Sequence, residues 1–262
     1  MSDQELIFAD AHCHLYPPFF SKKDINGVIQ RAKSKNVLII VNSILNPNHF
    51  EFGLSLTKNQ VVYLSIGMQP TEVEEEKFKK IEEFLLNNLE FVVAIGEIGL
   101  DYYWVKEEEK RKEQKLFFKR LIELAEEKNK PIVIHSRAAE TDAIDIIESY
   151  NLKNVLMHCF TGTENEIKQV VDNGWFITVP TSLVYRKNFQ KILSLIPERQ
   201  LMFETDSPYH SLKKGEKNEP AAISISAKKA AMLKGIDTKK LADITTENVA
   251  NFYGIRIIKE NS

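Results

Sequence analysis

Cysteine is scarce, with Cys13 and Cys159 the only two among 262 residues, which excludes a disulfide framework and fits a reducing compartment. Neither sign of charge is in excess, since 35 Lys and Arg stand against 37 Asp and Glu for a net charge of −2. A chain that grips nucleic acid by overall charge is thereby excluded, and any such contact must be local. No apolar run approaches the roughly 18 residues of a membrane span, and the acidic opening MSDQELIFAD has no signal-peptide core. A cytoplasmic protein is expected, without a membrane partner. Fixed-period repeats, low-complexity stretches and Pro/Gly/Ser-rich linkers are also missing.

What is present is enough for a large core, because 43% of residues are hydrophobic and 27% charged. The length suits a single α/β domain over 1–262, a (β/α)₈ TIM barrel. Short β-branched runs alternate with longer, charged segments of helical period. Strands are expected at 6–10, 37–42, 61–67, 92–100, 132–135, 155–159, 175–179 and 201–204. The clearest helix is expected at 107–128, where Phe117, Leu121, Leu124 and Ala125 recur at three and four. Its charged face reads as a solvated surface. Continuous apolar strands imply a parallel sheet covered by helices on both faces. Eight βα units point to a closed barrel, and a doubly wound open sheet is the alternative.

The strongest local pattern is Asp10-Ala11-His12-Cys13-His14 at the end of the first strand. A period of two turns His12 and His14 to one side and Ala11 and Cys13 to the other, so two imidazoles can share a metal. Structurally satisfied histidines are the plainer alternative. Further polar residues fall in equivalent places: Glu97 and Asp101 in AIGEIGLD, His135 in PIVIHSR, His158 in VLMHCF and Asp206 in MFETDSP. Side chains at the carboxyl ends of barrel strands converge on one face, where active sites of this fold lie. Four of six histidines are used this way. His49 and His210 fall in an expected helix and a loop, and for His49 an ordinary surface role is expected. Four imidazoles with carboxylates form a ligand set for divalent Mg, Mn or Zn. Two ions about 3.5–4 Å apart, bridged by Glu97, would use all of these ligands.

With these motifs in place, the chain resembles the TatD family of metal-dependent deoxyribonucleases, within the wider amidohydrolase-like barrels. The matching pieces are DAHCHL, GEIGLDYY at 96–103, PIVIHSR, HCFTG, ETDSPY and NEP at 218–220, in the family's order across nearly the whole chain. The resemblance implies a barrel hydrolase whose two divalent ions are held by residues matching His12, His14, Glu97, His135, His158 and Asp206. It also argues against the branches that bridge two metals with a modified lysine. Two positions depart from the family pattern: Gly67-Met68-Gln69-Pro70 where Gly-x-His-Pro is common, and Tyr16 where an acidic residue often follows His-Leu. Both bear on substrate identity more than on hydrolysis.

The chemistry expected is phosphodiester hydrolysis of DNA, as a 3′-to-5′ exonuclease acting on single strands or 3′ ends. Asp206 would ligate metal and accept a proton, while Glu204 would serve as a base or as an orienting carboxylate. Arg137 would hold phosphate by its fork geometry, with a structural salt bridge as the alternative. Tyr102, Tyr103 and Trp104 would stack on unpaired bases or close the barrel rim. Lys213, Lys214 and Lys217 in the loop 207–220 are available to a nucleic-acid backbone, or are simply solvated. Cys13 and Cys159 are expected to point away from the metals as packing residues. The same chemistry on another ester or amide, such as D-aminoacyl-tRNA, is the nearest alternative, and a non-catalytic binding barrel is a second. No exposed apolar helix argues for a partner, so a monomer or weak oligomer is expected.

Overall fold

The computed structural model describes residues 6–150 and 152–257, so both ends of the expected 1–262 unit lie outside the described residues. Within them eight strands form one parallel sheet in sequence order. They are β1 (Phe8–Cys13), β2 (Val37–Ile44), β3 (Val62–Ile66), β4 (Val92–Asp101), β5 (Ile132–Arg137), β6 (Val155–Met157), β7 (Phe176–Pro180) and β8 (Leu201–Glu204). The helices between them include α1 (Lys22–Lys33), α2 (Phe50–Leu56), α3 (Glu75–Asn88), α4 (Glu108–Glu127) and α5 (Glu140–Glu148). Then come α6 (Glu164–Asp172), α7 (Lys187–Leu195), α8 (Ile223–Lys234) and α9 (Thr238–Tyr253). Strictly alternating βα order with every neighbour parallel is the (β/α)₈ TIM barrel.

Local chemistry explains the helix ends. Ser21 caps α1 through its side chain, Asp237 does the same for α9, and Thr163 with Glu166 forms a reciprocal capping box on α6. In α4 the buried face carries Phe117, Phe118, Leu121, Ile122, Leu124 and Ala125. The fully buried Phe118, Leu121 and Ile122 each contribute roughly 1.5–3 kcal/mol.

Strand alternation sorts the core into two clusters. Ile40, Ile44, Ile95, Ile98, Ile132, Ile134, Val155 and Met157 pack outward against the helices. Ala9, Ala11, Ile39, Val41, Ala94, Val133, Leu156 and Met202 fill the barrel axis, which Val249, Phe252 and Tyr253 of α9 close. Two strands break parity near the carboxyl ends. The β1–β2 register shifts between Asp10 and Cys13, and the β4–β5 register shifts between Gly96 and Ile98. Such bulges redirect side chains.

The first strand therefore differs from the expectation of 6–10. It starts at Phe8 and continues to Cys13, because the buried polar groups of Asp10 and His12 find partners at the barrel mouth. Asp10 accepts from the Thr205 amide at 2.8 Å and from the Thr205 hydroxyl at 2.5 Å. The Asp206 amide donates to the His12 carbonyl at 3.0 Å, and the His14 amide donates to the Ser207 carbonyl at 2.9 Å. These bonds fasten β1 to the segment after β8. The sixth strand stops at Met157 rather than residue 159, since Cys159 turns into the left-handed region with φ 44°. No helix among the described residues is long and apolar enough to cross a membrane.

Candidate metal centre

The shift at Gly96–Ile98 delivers Glu97 to the axis of the mouth, where it is 4% exposed. Space for this comes from two glycines. A Cβ on Gly67 would lie 2.2 Å from the Glu97 carbonyl oxygen, and one on Gly99, whose φ is +141°, would lie 2.1 Å from the His135 carbonyl oxygen. Both approaches are open only to glycine.

Around Glu97 the four imidazoles divide into pairs. Its Oε2 faces His12 Nε2 at 3.3 Å and His14 Nε2 at 3.4 Å. Its Oε1 faces His135 Nδ1 at 2.9 Å and His158 Nε2 at 3.7 Å. Asp206 joins the first pair, with Oδ1 at 3.4 Å from His14 Nε2 and 3.9 Å from His12 Nε2. Three-donor groups form on either side of Glu97, one with His12 and His14 and one with His135 and His158. A further group of His12, His158 and Asp206 spans the two sides.

Outer contacts fix the rings. His14 Nδ1 lies 2.9 Å from the Ser43 carbonyl, and His135 Nε2 lies 3.1 Å from Asp101 Oδ2. Each leaves the other ring nitrogen facing Glu97, the arrangement of a metal-ligating histidine with its outer partner. The Ser43 hydroxyl also donates to the Gly96 carbonyl at 2.8 Å and lies 3.0 Å from the donating Glu97 amide. Fully buried Glu204 is 3.4 Å from His158 Nδ1, within ion-pair reach, yet neither of its oxygens has an aligned hydrogen-bond donor. It sits on the side of His158 away from Glu97, so its geometry is that of an orienting carboxylate.

The electrostatics follow from this crowding. Burial alone would raise the Glu97 carboxyl, but the charge of His158 and hydrogen bonds from His12, His135 and His14 hold it well below the usual range. Asp206 is likewise raised by burial and brought down to about 2 by His14 and His158. Burial opposes protonation of His14, and its bonds to Asp206 and Glu97 outweigh that and push it up to about 10. Burial and the charge of His158 lower His12 instead. Imidazole nitrogens and carboxylate oxygens gathered this closely are donors suited to a divalent cation.

The remaining expected residues sit around the rim. Tyr102 is engaged away from the mouth: its hydroxyl donates to Asp142 at 2.6 Å, and the Arg111 guanidinium covers its ring at 4.4 Å. That leaves Tyr103 and Trp104, 48% and 65% exposed, as the open aromatic surface. Exposed Arg137 stacks on Tyr103 at 4.0 Å rather than forming a salt bridge. Lys213 and Lys214 are exposed, and Lys213 lies 3.6 Å from Glu216. Lys217 packs over Phe20 at 3.8 Å. Tyr16 is buried with its ring 6.0 Å from that of His14, and Gln69 is half-buried.

Two expectations about cysteine and alternation need correction. Ala11 belongs to the axial cluster while Cys13 packs outward, its thiol donating to the Val41 carbonyl at 3.4 Å, because the bulge in β1 separates them. Cys159 does not point away from the site: beyond the end of β6 alternation no longer applies, and its Sγ lies 3.4 Å from His210 Nε2. Sequence reasoning also missed Ser43 and the seam role of Asp10. Ser43, with Asn42, ends the apolar run VLIIV, the same signal as at the other strand ends, and Asp10 lies within the DAHCHL string.

Comparison with known proteins gives the family and the fold. The family described as TatD related DNase matches residues 9–254. An uncharacterized metal-dependent hydrolase of Methanocaldococcus jannaschii is 30% identical over 256 residues, covering 97% of this chain and 100% of the relative. The human deoxyribonuclease TATDN3 is 30% identical over 257 residues, covering 93% of each chain. In fold, the crystal structure of the TatD homologue YjjV from Escherichia coli superposes with a TM-score of 0.87 at 23% identity, over 95% of this chain and 98% of that one.

Proposed function

The chain belongs to the TatD related DNase family of metal-dependent hydrolases, and from that premise we propose that it hydrolyses DNA phosphodiesters as a two-metal 3′-to-5′ exonuclease. One observation carries the reading: the two oxygens of Glu97 face two different imidazole pairs, which is what a bridging carboxylate requires. His12, His14 and Asp206 would hold one ion, His135 and His158 the other, with Glu97 shared. When bound, such a pair supplies Lewis acidity at a phosphate oxygen and lowers the pKa of an attacking water toward neutrality.

The chain's own groups do the rest. The Ser43 carbonyl and Asp101 lock the His14 and His135 rings, so the donor atoms need no reorganisation during the reaction. Asp206 accepts the water's proton on a carboxylate oxygen, and Glu204 steadies His158 from behind. Arg137, exposed at the end of β5, offers a planar fork to a phosphate. Trp104 presents a face on which an unpaired base can stack, beside Tyr103 with its Arg137 cover. Lys213 and Lys214 extend that surface with positive charge. The Lys and Arg that make local contacts are thus few, consistent with a net charge of −2.

The test uses metal-stripped protein, its Asp206→Asn variant and a 5′-labelled single-stranded DNA, with Mg²⁺, Mn²⁺ or Zn²⁺ added in turn. The reading expects a ladder shortening from the 3′ end, dependent on metal and reduced by at least roughly a hundredfold in the variant. No cleavage with any ion would overturn the DNA assignment and turn the search to aminoacyl-tRNA or another ester. Retained metal without turnover on any ester would favour a non-catalytic barrel.

A further inference from the structure

We propose that Cys159, His210 and Asp206 form a third cation site at the edge of the Glu97 centre, suited to a borderline-soft divalent ion such as Zn²⁺ or Co²⁺. It rests on the two-ion reading only through the sharing of Asp206. That carboxylate presents its two oxygens in different directions. Oδ1 faces His14 Nε2 at 3.4 Å, whereas Oδ2 faces His210 Nε2 at 3.8 Å. Cys159 Sγ lies 3.4 Å from the same His210 nitrogen, and donor atoms of all three residues lie within 4.8 Å of one another. Around a tetrahedral zinc, with Zn–S about 2.3 Å and Zn–N about 2.0–2.1 Å, neighbouring ligand atoms stand roughly 3.5 Å apart. The Cys159–His210 spacing already matches that geometry, and the His210–Asp206 spacing of 3.8 Å is close to it.

The site is built, not fortuitous. His210 Nδ1 lies 3.0 Å from Ser182 Oγ, and Thr181 Oγ1 donates to the His210 carbonyl at 2.7 Å. Ring and backbone are therefore both anchored, and the anchored nitrogen leaves Nε2 turned toward Cys159 and Asp206. Thr178 Oγ1 accepts from the Cys159 amide at 2.8 Å, fixing the thiol's position. Cys159 and His210 are half-buried, so an ion can reach them.

Sulfur distinguishes this site from its neighbour. Thiolate favours zinc and cobalt over magnesium and manganese, whereas the imidazole and carboxylate donors around Glu97 admit all four. Three protein donors also leave a tetrahedral ion one position for water or a substrate oxygen. An ion on Oδ2 would also compete with the proton that Asp206 accepts in the proposed hydrolysis, since Oδ1 is turned to the Glu97 centre.

The experiment is a Co²⁺ titration of the metal-stripped full chain, followed by metal analysis and by the thiolate-to-cobalt charge-transfer absorption. Only Cys159 can give that band at this place, because Cys13 is fully buried and turned to the Val41 carbonyl. The expected result is three equivalents of Co²⁺ with the band, and two equivalents of Mn²⁺. Cys159→Ser and His210→Gln should each lose the band and one equivalent while keeping two. Circular dichroism checks that both variants fold, and either one alone suffices. Glu97→Ala should keep the band while losing the pair, so a failure of the two-ion reading is read separately. Absence of the band in the unmodified chain, or its survival in His210→Gln, would overturn the proposal.

Discussion

Asp10 tests whether the β1–β8 seam is what places the proposed metal ligands. Its carboxylate accepts from the Thr205 amide and hydroxyl, and neither residue is exposed. Across the same seam the Asp206 amide meets the His12 carbonyl. Asp10→Ala takes the acceptor from the Thr205 amide and hydroxyl, at about 1–3 kcal/mol each, and from the longer bond of the His12 amide at 3.4 Å. Part of that is offset, because burial pushes the Asp10 carboxyl well above its normal range against the pull of Thr205, so the native carboxylate is itself costly to keep. The net loss is about 2–4 kcal/mol, or roughly 5–15 °C in Tm for a chain of this size. Asp10→Asn keeps a carbonyl oxygen for the amide and should lose less than half as much. Urea unfolding gives both values, and Mn²⁺ titration of the folded variants should show weaker binding in Asp10→Ala. A loss under about 0.5 kcal/mol in Asp10→Ala, or equal losses in the two variants, would refute the argument.

Other outcomes follow from the same structure. Burial raises the Glu166 carboxyl, but bonds from Thr141 and Thr163 outweigh it and hold the group below its usual range. A depressed carboxyl stabilises the fold above its unfolded pKa, and that contribution disappears as pH falls through the folded value. Glu166→Gln should therefore cost a few tenths of a kcal/mol at pH 7, and that cost should shrink as pH falls below the ordinary carboxyl range, measured by thermal unfolding; a pH-independent cost would contradict this. Gly99→Ala forces a Cβ against the His135 carbonyl oxygen, costing about 1–3 kcal/mol in strain. Its metal analysis should show the His135 side emptied before the His14 side. Trp104→Ala should weaken single-stranded oligonucleotide binding by roughly five- to a hundredfold, the worth of one stacked base; unchanged binding in fluorescence anisotropy would remove Trp104 from the substrate path.

The barrel was legible because its strands are apolar runs with polar residues at their carboxyl ends. Val133 and His135, or Leu156 and His158, alternate inward as periodicity requires. The helix expected at 107–128 is observed as Glu108–Glu127. What stayed hidden depends on backbone irregularity. Ala9 and Ala11 point inward, and so do His12 and His14, a sequence of parities that no regular strand can give. The bulge between Asp10 and Cys13 is set by the pairing of β1 with its neighbours, which a single strand does not encode. Glu97 reaches the axis by the same device in β4. Partners far apart in sequence were also out of reach. Ser43 supports His14 across 29 residues, and Cys159 meets His210 across 51, both through contacts that only closure of the barrel creates.

Anomalous diffraction from Mn²⁺-loaded crystals tests the bridging role of Glu97 most directly. The account predicts two peaks about 3.5–4 Å apart, one against Glu97 Oε2 with His12, His14 and Asp206, the other against Oε1 with His135 and His158. A single peak, or two peaks without Glu97 between them, would contradict it.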